Sequence, residues 1–190
     1  MSLNTLPRTT LGFFPTPFAS HVAVAGSLAF VVDGNIQVVD VSDPTAPVEI
    51  GSTAPGHGNG VAVRGQYAYV ADAYAVRIVE ITDPTTPVEV GSFPSGAFRV
   101  TLGDSFVYAA DGAVRALDVS DPATPVEVGF FEPYLTGALE VALAGAHVYM
   151  PYREEPYSAH PNGFAVLTRC EMFADGFECG STAAWATTVP

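Results

Sequence analysis

The chain has no lysine, few charged residues and no long apolar run, and each scarcity argues against a class of protein. All seven basic residues among the 190 are arginines, and 20 acidic residues bring the net charge to −13. Because a surface this acidic cannot neutralise phosphates, we expect no nucleic-acid partner. No stretch reaches the roughly 18 apolar residues of a transmembrane helix, and no apolar segment precedes a cleavage site. We therefore expect neither membrane insertion nor a signal peptide in this chain.

Cysteine is also scarce. The two cysteines, Cys170 and Cys179, lie in one C-terminal segment with no histidine near them. Their spacing is wider than that of a redox or zinc motif, so neither is predicted. A local disulfide and two free thiols both remain open.

Glycine and proline are abundant, with 18 and 16 residues, while 48% of the chain is hydrophobic. This density of turn-forming residues favours many short strands over long helices, and the apolar fraction is sufficient for a buried core. The composition predicts an all-β fold.

Internal repeats refine this prediction. The same pattern recurs about every 40 residues, as a propeller-type repeat requires. It reads VAVAGSLAFVVD from Val22, VAVRGQYAYVAD from Val61, VTLGDSFVYAAD from Val100 and VALAGAHVYMPY from Val141. After each of the first three copies comes a second block, with an Asp-Pro turn at Asp43, Asp83 or Asp121.

Glycines and Asp-Pro turns divide each repeat into four short strands. The second strand is apolar on both faces, whereas the fourth, Pro-Val-Glu-Val/Ile-Gly, alternates between apolar and polar residues. Inner strands buried on both faces and an amphipathic outer strand are typical of a β-propeller blade of four antiparallel strands.

The pattern GxxAYVAD followed by VxxVDVSDPxxPVEVGS resembles the LVIVD repeat, a propeller-type repeat of bacterial and archaeal proteins, many of them at the cell surface. It is carried by Gly65–Asp72 with Val79–Ser92 and by the matching segments that begin at Gly26 and Gly103. The resemblance covers about residues 20–168. The fourth repeat departs from it, because the Asp-Pro turn and the last strand are missing.

We expect a propeller over residues 1–168 and a C-terminal tail over 169–190. Its four repeats, called units 1 to 4 below, span about 21–53, 61–93, 100–131 and 141–168. The segment Thr10–Pro15 resembles Val90–Pro94, so an N-terminal strand at 9–15 is predicted to supply the missing outer strand of unit 4 and close a four-bladed ring. The alternatives are a fragment of a longer propeller and an eight-bladed ring of two chains. The chain is accordingly expected to be a monomer or a ring-completing homodimer.

Loops on one face of the ring are the predicted binding surface, since loops carry function on a rigid scaffold. This loop face holds the unit-to-unit loops 15–21, 54–60, 94–99 and 132–140, together with the turns between second and third strands. The position before each first strand varies between units, and unit 4 has a long loop at 153–163. The candidate binding residues are His21, His57, Arg99, Glu140, Arg153, Tyr157 and His160.

Three aspartates, Asp33, Asp72 and Asp111, end the second strands on the same face. Converging carboxylates could coordinate Ca²⁺, although an aspartate at a turn also accepts backbone hydrogen bonds without any metal. No other cofactor is predicted.

No catalytic motif is present in the sequence. The predicted function is therefore a non-catalytic binding or scaffold module that recognises a protein or glycan. The alternative is a small-ligand or metal-dependent enzyme that uses His21 and Glu140. The tail segment from Phe173 resembles the FADGFESGDTSAWS-type terminal segment of many secreted bacterial proteins, with Cys179 where a serine is usual. That resemblance implies an extracellular or cell-envelope location.

Overall fold

The structure, a computed structural model, describes residues 10–131, 138–152 and 163–168. These residues form an all-β fold of antiparallel sheets, and the predicted fold class is confirmed. The strands are β1 (His21–Ala25), β2 (Leu28–Asp40), β3 (Val48–Arg64), β4 (Tyr67–Asp72), β5 (Val76–Glu80), β6 (Val88–Phe93), β7 (Arg99–Leu102), β8 (Phe106–Ala110), β9 (Val114–Asp118), β10 (Val126–Phe131), β11 (Ala142–Ala144), β12 (His147–Tyr152) and β13 (Gly163–Thr168).

Unit 3 is one four-stranded sheet with the order β10-β9-β8-β7, as expected for a blade. Units 1 and 2 form a continuous sheet of six assigned strands, from β1 to β6. The reason is that β2 and β3 are longer than predicted. The first part of β2 pairs with β1 and its second part pairs with β3, so β2 contains both the second and third strands of unit 1. Likewise, β3 runs from the outer strand of unit 1 into the first strand of unit 2.

The turns follow the local sequence. Gly26 and Gly65 join first and second strands with a φ of 60° each, in the left-handed region that favours glycine. In the Asp-Pro turns the Asp83 carboxylate accepts the N–H of Thr85 at 2.9 Å. The side-chain and backbone hydrogen bonds from Thr85 lower the pKa of Asp83 below its ordinary value. Such an aspartate stabilises the turn that leads into the outer strand.

The outer strand of each of the first three units pairs with the third strand in the same register. Its glycine lies opposite an apolar residue, and the residue after that glycine lies opposite a polar one. The glycine pairs are Gly51 with Val38, Gly91 with Ile78 and Gly129 with Ala116, and the polar positions are Gln37, Arg77 and Arg115. Three units therefore share one geometry.

The core lies between successive units. In each junction two residues from the third strand of one unit pack with two residues from the first strand of the next, and a residue of the outer strand completes the cluster. The three sets are Ile36, Val38, Val61, Val63 and Ile50; Val76, Ile78, Val100, Leu102 and Val90; and Val114, Ala116, Val141, Leu143 and Val128. Each unit is thus held by its neighbours, because a single sheet cannot bury its own faces.

Unit 4 has only three strands in the described part of the chain, β11-β12-β13, and Phe164 and Val166 on β13 are exposed. Residues 10–20 contain no strand. The N-terminal strand expected at 9–15 is therefore not observed in the described residues. Ring closure and the number of blades therefore stay predictions. The predicted tail at 169–190, with both cysteines, lies outside the described residues.

Candidate functional site

Antiparallel pairing brings the predicted loops to one edge of each sheet. His21 lies opposite Val32, and Arg99 lies opposite Ala110, so each first strand begins where the second strand ends. Gly58 in the loop between units 1 and 2 lies opposite Asp72. The loop face expected from the sequence therefore exists in units 1 to 3.

Three of the variable residues form one polar group on this face, which we call the axial cluster: His21, Arg99 and Glu140. The His21 Nδ1 atom accepts the N–H of Val61 at 3.3 Å and so connects units 1 and 2. The Arg99 Nη1 atom donates to the carbonyl of Asn59 at 2.7 Å, which connects units 2 and 3. The Arg99 Nε atom lies 3.4 Å from Glu140 Oε2, which connects units 3 and 4.

Hydrogen bonding and charge fix the state of His21. Because Nδ1 accepts a hydrogen bond, the proton of the neutral ring is on Nε2. Burial, and then the positive charge of Arg99, lower the pKa of His21 below its ordinary value of 6.5, against an opposing effect of Glu140. At neutral pH the cluster offers an N–H donor, a guanidinium and a carboxylate.

Gly60 holds in unit 2 the position that His21, Arg99 and Glu140 hold in the other units. A Cβ atom there would lie 3.2 Å from the Phe98 carbonyl and 3.3 Å from Arg99 Cδ. A side chain in this position would crowd Arg99, so the glycine is what lets the guanidinium lie against the loop of unit 2.

His57 is exposed beside a second aromatic residue rather than within the axial cluster. Its ring contacts Tyr74 edge to face, with ring centroids 5.3 Å apart, and 68% of Tyr74 is exposed. The backbone of the same loop is fixed, because the His57 N–H donates to Asp72 at 3.0 Å and the Ala73 N–H donates to the His57 carbonyl at 3.1 Å.

The three aspartates do not meet at one site. In the described residues no three His, Cys, Asp or Glu side chains lie close enough to hold one metal ion, so the structure does not assemble the calcium site considered above. Each aspartate instead accepts hydrogen bonds from the unit-to-unit loop that enters its own unit, which fixes that loop against the second strand. The donors are Thr16 Oγ1 and Phe18 N for Asp33, His57 N for Asp72, and Ser95 Oγ for Asp111.

The candidate residues Arg153, Tyr157 and His160 lie outside the described residues. Conversely, sequence reasoning missed a set of exposed apolar side chains in the loops and turns of the loop face. They are Phe18, 84% exposed, Tyr74, Phe98 and Leu139. Two of them could have been found from the sequence. Phe98 and Leu139 directly precede the variable residues Arg99 and Glu140, in loops where no strand pattern requires an apolar residue.

Antiparallel four-stranded units that pack face to face through apolar junctions define a propeller-type repeat protein. The family model of the LVIVD repeat matches residues 18–54, 55–94 and 96–132, more than half of the chain. The protein therefore belongs to the LVIVD-repeat family, and the resemblance noted from the sequence is confirmed.

Solved structures of propeller-type fold are similar to the chain at low sequence identity. A functionally unknown protein from Desulfotomaculum acetoxidans DSM 771 has a TM-score of 0.63 and 14% identity, covering 81% of this chain and 63% of its own. The computationally designed protein Ika4 has a TM-score of 0.63 and 12% identity, covering 83% of this chain and 94% of its own. A protein from Bacteroides uniformis ATCC 8492, provisionally assigned as a 6-phosphogluconolactonase, has a TM-score of 0.61 and 16% identity, covering 84% and 54%.

At these identities the similarity defines the fold alone. The chain spans less than two thirds of the length of the Desulfotomaculum protein. No curated protein matches the sequence. Among the described residues, none forms a helix that is long and apolar enough to cross a membrane.

Proposed function

We propose that this protein is a non-catalytic binding module that recognises a partner through its loop face. The observation that carries the proposal is the axial cluster. The position before each first strand differs from unit to unit and holds His21, Gly60, Arg99 or Glu140, whereas the strands repeat closely. His21 and Arg99 are fixed by hydrogen bonds with backbone groups of the neighbouring unit, and Glu140 by its ion pair with Arg99. A rigid scaffold that varies only at one face is typical of a recognition surface.

Of the two partner classes that the sequence allows, a protein or a glycan, the exposed side chains favour a protein. Phe18, Tyr74 and Phe98 are large and exposed on the face that carries Arg99. Aromatic residues and arginine are enriched at the centres of protein interfaces, where they contribute most of the binding energy. The polar cluster supplies donors and an acceptor that can fix the orientation of a peptide backbone.

A location outside the cell or at the cell envelope is part of the same proposal. It is supported by the resemblance of the repeats to those of surface proteins and of the tail to a terminal segment of secreted proteins. Detection of the native protein in culture supernatant or in the envelope fraction, with a cytoplasmic enzyme as marker, tests it. Recovery in the cytoplasmic fraction alone would contradict it.

Panning a phage-displayed random peptide library against the purified chain tests the binding function. We expect selected peptides to bind the wild type and to lose at least about tenfold in affinity with Tyr74→Ala or Phe98→Ala, because truncation of a central aromatic residue costs more than about 1.4 kcal/mol. The matched control is Phe130→Ala, an aromatic residue of similar exposure (53%) on the outer strand β10, which should bind normally.

A glycan array with the same variants provides the competing outcome. If no peptide is selected and a sugar binds the wild type but not Tyr74→Ala, the partner is a glycan. The loop face would still be the binding surface. Peptide binding unaffected by both loop-face variants would overturn the proposal.

A further inference from the structure

The segment before β1 makes the contacts of an outer strand with the unit that follows it. In units 1 and 2 the outer-strand glycine lies against the Asp-Pro turn of the next unit: a Cβ on Gly51 would lie 2.3 Å from the Pro84 carbonyl, and one on Gly91 would lie 2.1 Å from the Pro122 carbonyl. Gly12 has the same setting, 2.2 Å from the Pro44 carbonyl. No strand of a preceding unit is present beside it among the described residues.

The residues that follow Gly12 repeat the loop contacts as well. Thr16 donates its hydroxyl to Asp33, as Ser95 does to Asp111. The Ser20 N–H donates to the Val32 carbonyl at 2.8 Å, and the corresponding bond from Phe98 to Ala110 is also 2.8 Å. Residues 12–20 therefore reach unit 1 along the path by which residues 91–98 reach unit 3.

Five exposed apolar residues occupy the positions that form the core of every other junction. From the third strand of unit 4 come Phe164 and Val166, and their counterparts Val76 and Ile78 are 1% and 0% exposed. The first strand of unit 1 and the N-terminal segment supply the rest of the set. The exposed fractions are 66% for Leu11, 55% for Val22, 65% for Val24, 68% for Phe164 and 48% for Val166.

These residues belong to the two ends of the repeat array, and charges from units 3 and 4 reach the first residue of unit 1. The charges of Arg99 on unit 3 and Glu140 on unit 4 both act on His21 of unit 1. The Arg99 Nε atom also lies 3.4 Å from Glu140 Oε2, so the carboxylate that precedes unit 4 lies within electrostatic range of the first strand of unit 1.

We propose that residues 10–16 are the outer strand of unit 4 and close the ring within one chain by pairing with β13. The register that repeats in units 1 to 3 places Gly12 opposite Val166, Phe13 opposite Ala165 and Phe14 opposite Phe164. Closure buries Leu11, Val22, Val24, Phe164 and Val166 in a fourth junction. This inference does not rest on the proposed function.

A disulfide trap tests the register. In the full chain with both native cysteines replaced by serine, Phe13→Cys/Ala165→Cys should form an intramolecular disulfide, because directly opposed strand residues lie within the 4.4–6.8 Å that a disulfide spans. The matched control is Gln37→Cys/Ser52→Cys, the pair at the same register position in unit 1, which is opposed in the structure. Intact mass under non-reducing conditions and peptide mapping identify the link.

Three outcomes decide the proposal. An intramolecular bond in both variants supports it. Oxidation of the control alone overturns it, and a bond between two chains overturns it in favour of a ring made with a second copy. If the cysteine variant does not fold, hydrogen exchange on the unmodified chain decides: residues 10–16 and β13 should be protected like β5 and β6, and rapid exchange of both segments would contradict closure.

Discussion

At the first position of β1 a histidine stands where the other units have glycine, arginine and glutamate, and its surroundings determine its charge. His21 is half-buried, accepts the N–H of Val61 and lies in the field of Arg99. Protonation would place a second positive charge beside the guanidinium and break the hydrogen bond to Nδ1. The neutral form is therefore the one that the fold stabilises.

We expect a corresponding pH dependence of stability. Since the pKa of His21 is lowered on folding, the stabilisation is present above the ordinary value of 6.5 and is lost as the pH falls from there through the lowered pKa. The melting temperature of the wild type should therefore drop, on acidification to about pH 5, relative to His21→Gln, whose amide can accept the same hydrogen bond without titrating. Parallel curves for the two proteins would contradict this explanation.

Single residues also mark what the sequence could and could not reveal about the site. The variable position before each first strand was visible when the repeats were compared, and it pointed to His21, Arg99 and Glu140, which the structure brings together. The role of Asp33 was open, because its main donor, Thr16, lies 17 positions away and meets it only through the fold. For the same reason the exposed apolar residues of the loop face were missed, since exposure is a property of the folded chain.

At the level of elements, local signals predicted where strands end. Glycine turns and Asp-Pro turns act within a few residues, so their consequences can be read without tertiary information. The continuous β2 and β3 were not predicted, since Gly34 and the loop 54–60 contain residues typical of turns. In the structure Gly34 pairs with Gly58, which also pairs with Asp72, and this keeps both strands continuous. In the described part of the chain unit 4 has three strands, as predicted from the absent Asp-Pro block.

Within unit 3 an ionic triad joins three strands. Arg115 on β9 contacts Asp111 at the end of β8 and Glu127 on β10, with Nη1 2.6 Å from Glu127 Oε2. Hydrogen bonds to Asp111 are the largest cause that raises the pKa of Arg115. Unit 2 repeats the arrangement with Asp72, Arg77 and Glu89, whereas unit 1 has Gln37 at the arginine position.

Arg115→Met should lower the free energy of unfolding by roughly 1–3 kcal/mol, because Asp111 is only 9% exposed and would lose a charged partner. The matched control is Gln37→Met in unit 1, which should be neutral or stabilising since Gln37 Oε1 is buried without a hydrogen-bond partner among the described residues. Denaturant unfolding of both variants measures the difference. Equal costs for the two substitutions would show that the triad contributes no stability.

At the scale of the whole molecule, the repeats explain why a chain of low charge and high apolar content is arranged as it is. Successive units bury their facing sides against each other, so apolar residues are needed at every junction rather than in one central core. Three junctions are formed by residues from consecutive units. The residues for a fourth junction are also present in the sequence. Leu11, Val22 and Val24 lie at the start of the repeats, and Phe164 and Val166 lie at the end.

The free energy of unfolding of Val22→Ala, compared with that of Val61→Ala at a concentration where the protein has the mass of one chain, tests ring closure most directly. The two valines hold the same position in units 1 and 2, and Val61 is 2% exposed. If the ring closes, both substitutions remove two buried methyl groups and should each cost about 2 kcal/mol. If Val22 stays at the surface, its substitution should change stability by less than about 0.5 kcal/mol while Val61→Ala keeps its full cost, and the closed ring would be contradicted.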